Sequence, residues 1–139
     1  MARVCATQRF AVLATCADGQ PYASLVAFAA GDSLAQLAFA TLRATRKYAN
    51  LRANPRAALL LDSRAHQPDD LSSAEAITAA GRAREVQDAE RTAWAVRYAA
   101  RHPGLRAFVS RPECALFVLD VDQYHLARQF GPSVAPPAP

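Results

Sequence analysis

Lysine is almost missing from this chain. Of its 16 basic residues, Lys47 is the one lysine, and the rest are arginine. A chain that uses arginine by default has a compact ammonium at position 47, where a point charge is preferred to a planar fork. Cysteine is scarce too. Cys5, Cys16 and Cys114 are odd in number and far apart, without CxxC or Cys/His ligand spacing. That excludes a disulfide framework and a zinc site, and leaves buried free thiols as the expectation. No apolar run reaches membrane-spanning length, so no membrane partner is expected. The first residues, MARVCATQRF, lack the charged region, apolar core and cleavage site of a signal peptide, and a cytoplasmic location is expected. Aromatics make up 8% of the residues and form no stripe interleaved with basic ones. The net charge of +4 and basic pI therefore do not make a nucleic-acid platform, which needs stacking surfaces beside its cations.

What is present is a 139-residue chain, 52% apolar, with much of that fraction alanine. The length suits one domain, here expected over residues 1–130. Residues 131–139, rich in Pro and Ala, read as a disordered tail. An alanine-rich core buries little per residue, which points to further apolar burial by dimerisation.

The pattern along the chain is strand-rich. Residues 10–16 (FAVLATC) and 22–29 (YASLVAFA) flank Asp18-Gly19, a tight-hairpin signal. A third strand follows over 35–41. Residues 56–62 (RAALLLD) read as a strand buried on both faces. Residues 63–73 read as an exposed loop in which Asp69 and Asp70 serve solvation. Residues 74–86 form a long strand, with Gly81 marking a bulge or close backbone approach. Asp88 is expected to cap a helix over 89–101, whose apolar positions Ala89, Ala93, Val96 and Ala100 recur at helical spacing beside Trp94 and Tyr98. His102-Pro103-Gly104 stops it, and 105–110 adds a turn. A last strand covers 114–121, extended over 123–130. Six or seven strands joined mostly by hairpins predict a mainly β fold, an antiparallel barrel with inserted α-helices.

The stretch from 39 to 62 organises the rest. Thr45 is suited to cap a short helix that Asn54-Pro55 ends. Arg43, Arg46, Lys47 and Asn50 fall at i, i+3, i+4 and i+7. With the free amides of the helix start they make either a phosphate cradle or a solvated basic face.

These pieces, in this order, resemble the FMN-binding split β-barrel proteins related to pyridoxamine 5′-phosphate oxidase. FAVLATCADGQPYASLVAF is similar to the opening hairpin of that family. Thr41-Leu-Arg-Ala-Thr45-Arg46-Lys47 is similar to its Thr, spacer, Ser/Thr-Arg-Lys phosphate motif. Residues 50–56 and the 81–86 strand resemble the segments that follow. The resemblance implies a six- to seven-stranded antiparallel split barrel, a homodimer with FMN in clefts between subunits, and an FMN-dependent oxidoreductase of unknown small-molecule substrate. It implies that Arg46 and Lys47 contact the FMN phosphate with Thr41 and Thr45. The backbone of Tyr22, Ala23, Ser24, Leu25 and Val26 would lie along the ring, with the Ser24 side chain an added contact. The resemblance stops short of vitamin B6 oxidation. The family's Arg-x-His near the C-terminus has no counterpart in 124–130, and Ala76 stands where members carry Gln. The alternative is a non-catalytic flavin- or haem-binding protein, similar to the haem-utilisation group, with His125 as a haem ligand. The plainer reading of His125 is a hydrogen-bonded histidine on a terminal strand. Trp94 and Tyr98 fit core or dimer contacts, and Phe130 either covers a ring face or plugs a core. No catalytic residue is singled out.

Overall fold

The computed structural model describes residues 1–128; the expectations for Phe130 and for the tail at 131–139 lie outside the described residues. Six antiparallel strands close into a barrel in the order β1-β2-β3-β6-β5-β4. The chain enters through a short helix α1 (Ala2–Thr7), then β1 (Phe10–Ala17), β2 (Gln20–Ala30) and β3 (Gln36–Leu42) form a meander. Helix α2 (Arg46–Ala53) leads into β4 (Arg56–Asp62). One turn of helix, α3 (Asp70–Ser73), precedes β5 (Glu75–Glu85). Helix α4 (Asp88–Arg101), a 3-10 turn at Pro103–Leu105 and α5 (Arg106–Val109) lead to β6 (Cys114–Arg128), one continuous strand of 15 residues.

Local chemistry explains the framework. Asp18 and Gly19 have φ of 52° and 74°, the two left-handed positions of a tight hairpin turn, and Ala17 pairs directly with Gln20. Gly81 sits where the β5/β6 register shifts; a Cβ there would come within 2.0 Å of the Asp120 carbonyl oxygen. Only a glycine lets the two backbones approach so closely.

Alternation along the strands separates two apolar layers. Leu13, Phe28, Leu37, Phe39, Leu59, Leu61, Ile77 and Phe117 fill the barrel. Ala27, Ala29, Ala38 and Ala40 face outward and are covered by Trp94 and Tyr98 of α4, with Leu116 and Val118. The alanines are what allow a helix to lie so close. His102, at the end of α4, sits 2.7 Å through Nε2 from the Phe28 carbonyl oxygen and pins the helix to β2.

Several expectations are corrected here. The strand buried on both faces is β3, whose residues 37–41 are all buried. In β4, Leu59 and Leu61 are inside while Leu60 is exposed, because helix α4 covers β2 and β3 and leaves β4 uncovered. The inward face of α4 carries Trp94, Tyr98 and Ala99; Ala89, Ala93, Val96 and Ala100 point out. Asp88 is the first residue of α4 and makes no side-chain cap. Asp70 does more than meet solvent: it accepts hydrogen bonds from the amides of Ala65 and Gln67 and shapes the loop. Cys16 is half-buried, unlike Cys5 and Cys114.

Candidate functional site

The β2/β3 seam opens at one end. Residues 20–27 of β2 pair with β1, but the ladder to β3 begins only at Phe28. On the β3 side, the backbone of residues 22–26 has no partner among the described strands. Groups left unpaired by a ladder must find partners elsewhere, in water or in a ligand. Beyond Ala40, β3 diverges toward α2, and the space between holds a groove of about 330 Å³. Leu25, Val26, Thr41, Thr45 and Lys47 line it on the strand and α2 side. Tyr98, Leu105 and Phe108, from the helical insertion, form the facing wall.

The start of α2 is built as the sequence suggests. Thr45 is extended and caps the helix, its Oγ1 accepting from the Tyr48 amide at 3.4 Å. The same hydroxyl donates to the Leu42 carbonyl at 2.8 Å and lies 2.9 Å from Thr41 Oγ1. The amides of Arg46 and Lys47 donate to no other described residue. Neither side chain joins an ion pair among the described residues. Free amides at the positive end of a helix, with cationic side chains beside them, are the chemistry that suits an anion.

The basic face expected for α2 is only partly there. Arg43 lies before the helix, paired with Glu85 and donating to the Tyr48 hydroxyl at 3.1 Å. The Glu85 carboxylate, ahead of the Tyr48 contact, raises the Arg43 pKa. Asn50 is buried and donates to Thr15 Oγ1 at 3.0 Å, fastening α2 to the barrel. That leaves Arg46 and Lys47. They diverge: the Arg46 guanidinium stands 5.5 Å from the centre of the Tyr22 ring, and Arg46 and Tyr22 line an adjacent cavity of about 200 Å³ that Lys47 does not reach.

So the nine residues singled out from sequence separate into groups. Leu25, Val26, Thr41, Thr45 and Lys47 share the groove, while Tyr22 and Arg46 share the neighbouring cavity. Ala23 is exposed on the outward side of β2 with Leu25. Ser24 faces the other way: its hydroxyl is buried without a partner among the described residues, so it does not reach the groove beside Leu25. Phe10, 56% exposed, also lines the groove and was not singled out; its parity with Leu25 across β1/β2 is the signal that marks it. Burial raises the Tyr98 hydroxyl pKa far above the usual range, so this groove wall stays uncharged. His125 is half-buried, opposite Thr78 on the β5/β6 pair, and does not line the groove. No cluster of three metal-ligating side chains occurs among the described residues, and none of their helices is long and apolar enough to cross a membrane.

A planar, amphipathic cofactor with a phosphate end fits these residues. The anion site lies at one end, unpaired strand backbone along the floor, and apolar side chains along the wall.

Comparisons agree with this architecture. The haem-binding protein of Mycobacterium smegmatis superposes with a TM-score of 0.86 at 19% identity, over 97% of this chain and 55% of that one. This chain thus spans about half the length of that neighbour. HutZ, the haem storage protein of Vibrio cholerae, superposes with a TM-score of 0.79 at 18% identity, over 91% and 90% of the two chains. An FAD-binding protein of Mesorhizobium loti gives 0.72 at 20% identity, over 90% and 89%. At such identities these likenesses establish the fold. No curated protein matches the sequence. The family model described as pyridoxamine 5′-phosphate oxidase matches residues 1–127, and the chain belongs to that family.

Proposed function

We propose that this protein binds FMN in the groove at the start of α2 and acts, as a homodimer, as an FMN-dependent oxidoreductase on a small molecule. One observation carries the reading: Lys47, Thr45 and two unpartnered amides stand where α2 opens onto a groove floored by unpaired β2 backbone.

The roles follow from chemistry. Lys47 and the α2 amides hold the phosphate by charge-assisted hydrogen bonds. Thr41 and Thr45 fix the shape of that corner through their shared hydrogen bond. Arg46, held over Tyr22, adds positive potential from the adjacent cavity. The backbone of Tyr22, Ala23, Ser24, Leu25 and Val26 offers donors and acceptors to the polar edge of the ring. Leu105 and Phe108 keep water from one ring face. FMN itself would supply the hydride or electron transfer.

The second reading is a carrier or store that holds flavin or haem without turnover. The names of two structural neighbours, one haem-binding and one haem-storing, favour it.

A visible spectrum of the purified protein, with identification of the acid-released chromophore, separates the two. Released FMN, reduced by a nicotinamide and reoxidised by an acceptor with turnover, supports the first reading. A haem band that weakens in His125→Ala supports the second. A colourless protein that takes up neither ligand removes both.

A further inference from the structure

A larger cavity, about 450 Å³, lies apart from the Lys47 groove and shares no lining residue with it. It opens between α4 and α5. Ala95, Val96 and Ala99 on one helix and Val109 on the other give it an apolar wall. Two guanidinium groups, Arg91 and Arg106, complete the lining with the hydroxyl residues Thr92 and Ser110, and no carboxylate takes part.

Neither arginine joins an ion pair among the described residues. Arg91 is half-buried. Its Nη2 donates to the carbonyls of Val109 at 2.9 Å and Cys114 at 3.1 Å, which ties α4 to the end of α5. Its Nη1 is buried and has no acceptor among the described residues. A half-buried cation without counter-charge is costly, and an anion nearby offsets that cost. The hydroxyls of Thr92 and Ser110 donate to the Asp88 and Arg106 carbonyls at 3.1 and 2.9 Å, leaving lone pairs rather than negative charge at the lining. Ala95, Val96 and Ala99 therefore border a concave, cationic site rather than a featureless helix face.

We infer that this cavity is a second ligand site, for a small amphipathic carboxylate. Its carboxylate lies toward Arg91 and Arg106, and its short hydrocarbon body lies along Ala95, Val96 and Ala99. The volume falls in the range of small-molecule pockets. The guanidinium groups discriminate against neutral alcohols, and the apolar wall discriminates against small inorganic anions. The inference is independent of what occupies the Lys47 groove.

The test uses the protein as purified, with octanoate, octanol and acetate as probes in calorimetric titrations. Octanoate is expected to bind saturably, with octanol and acetate each about tenfold weaker or more, the size of one charge-assisted hydrogen bond or a few buried methylenes. Arg106→Gln should weaken octanoate by about tenfold on the same ground. Val96 is 67% exposed, so Val96→Glu keeps the fold and sets a carboxylate at the wall; it should abolish binding. Arg91 is left intact because it holds α5. Absence of saturable octanoate binding, equal affinity for octanol, or octanoate affinity unchanged in both variants would overturn the assignment.

Discussion

Arg46 and Lys47 are adjacent in the chain yet open onto different cavities, Lys47 onto the groove with Leu25 and Thr41, Arg46 onto the one with Tyr22. The helical turn of about 100° per residue separates them. They should therefore contribute unequally to an anion in the groove. Lys47→Ala is expected to weaken FMN by about ten- to a hundredfold, the loss of a charge-assisted hydrogen bond. Arg46→Ala should cost less, since it acts through potential from the neighbouring cavity. Quenching of flavin fluorescence during titration measures both. Equal losses would mean that the phosphate sits between the two side chains, and no loss in Lys47→Ala would sink the phosphate assignment.

Much of this was legible from the residues. Asp18-Gly19, the bounds of β4, the Thr45 cap and the tight spot at Gly81 are local signals, and local chemistry decides them. The errors arise where a partner distant in sequence decides. Arg43 has the spacing of the basic face, but Glu85, far along the chain, pairs with it. On α4 the alanine spacing misled, because alanine tolerates either face; Trp94 and Tyr98, four apart, marked the true inward stripe. The cavity between α4 and α5 depends on how α5 docks, and no local pattern encodes that.

Gly81 supplies a prediction about the barrel itself. Adding a Cβ requires displacing the Asp120 carbonyl, which is backbone in a paired strand and cannot swing aside as a side chain would. Gly81→Ala should destabilise the protein by about 1–3 kcal/mol or more, the range for overpacking. A urea denaturation series reads it as a lowered midpoint at unchanged slope. A wild-type midpoint would show that β5 and β6 are not apposed this closely.

Acid should loosen the loop between β4 and β5 before the barrel responds. Asp70 accepts from the Ala65 amide at 3.0 Å and the Gln67 amide at 3.0 Å, and these bonds, Ala65 first, lower its carboxyl pKa. A carboxylate whose folded pKa lies below its unfolded value gives its full contribution above the unfolded pKa. The contribution is lost as pH falls through the lowered, folded pKa. Amide exchange at Ala65 and Gln67 should therefore rise beyond its intrinsic pH dependence as pH drops below the usual aspartate range, about 3.9. In Asp70→Ala, which leaves no side-chain acceptor, the two amides should be poorly protected at every pH. A protection profile identical to wild type would remove Asp70 from the account.

The outer side of β4 bears on the proposed homodimer. Leu60 is 37% exposed on a strand that no helix covers, among the half-buried alanines Ala58 and Ala76. It lies outside the Lys47 groove, so a charge placed there leaves the groove's own side chains intact. Leu60→Asp would set a carboxylate on that apolar side and should shift the protein toward monomer in light scattering. If the second subunit closes the cofactor groove, loss of the dimer must also lower FMN affinity, because binding and association are then linked. Raising the protein concentration should restore both together. A monomeric Leu60→Asp protein that keeps full FMN affinity would show instead that one subunit holds the whole site.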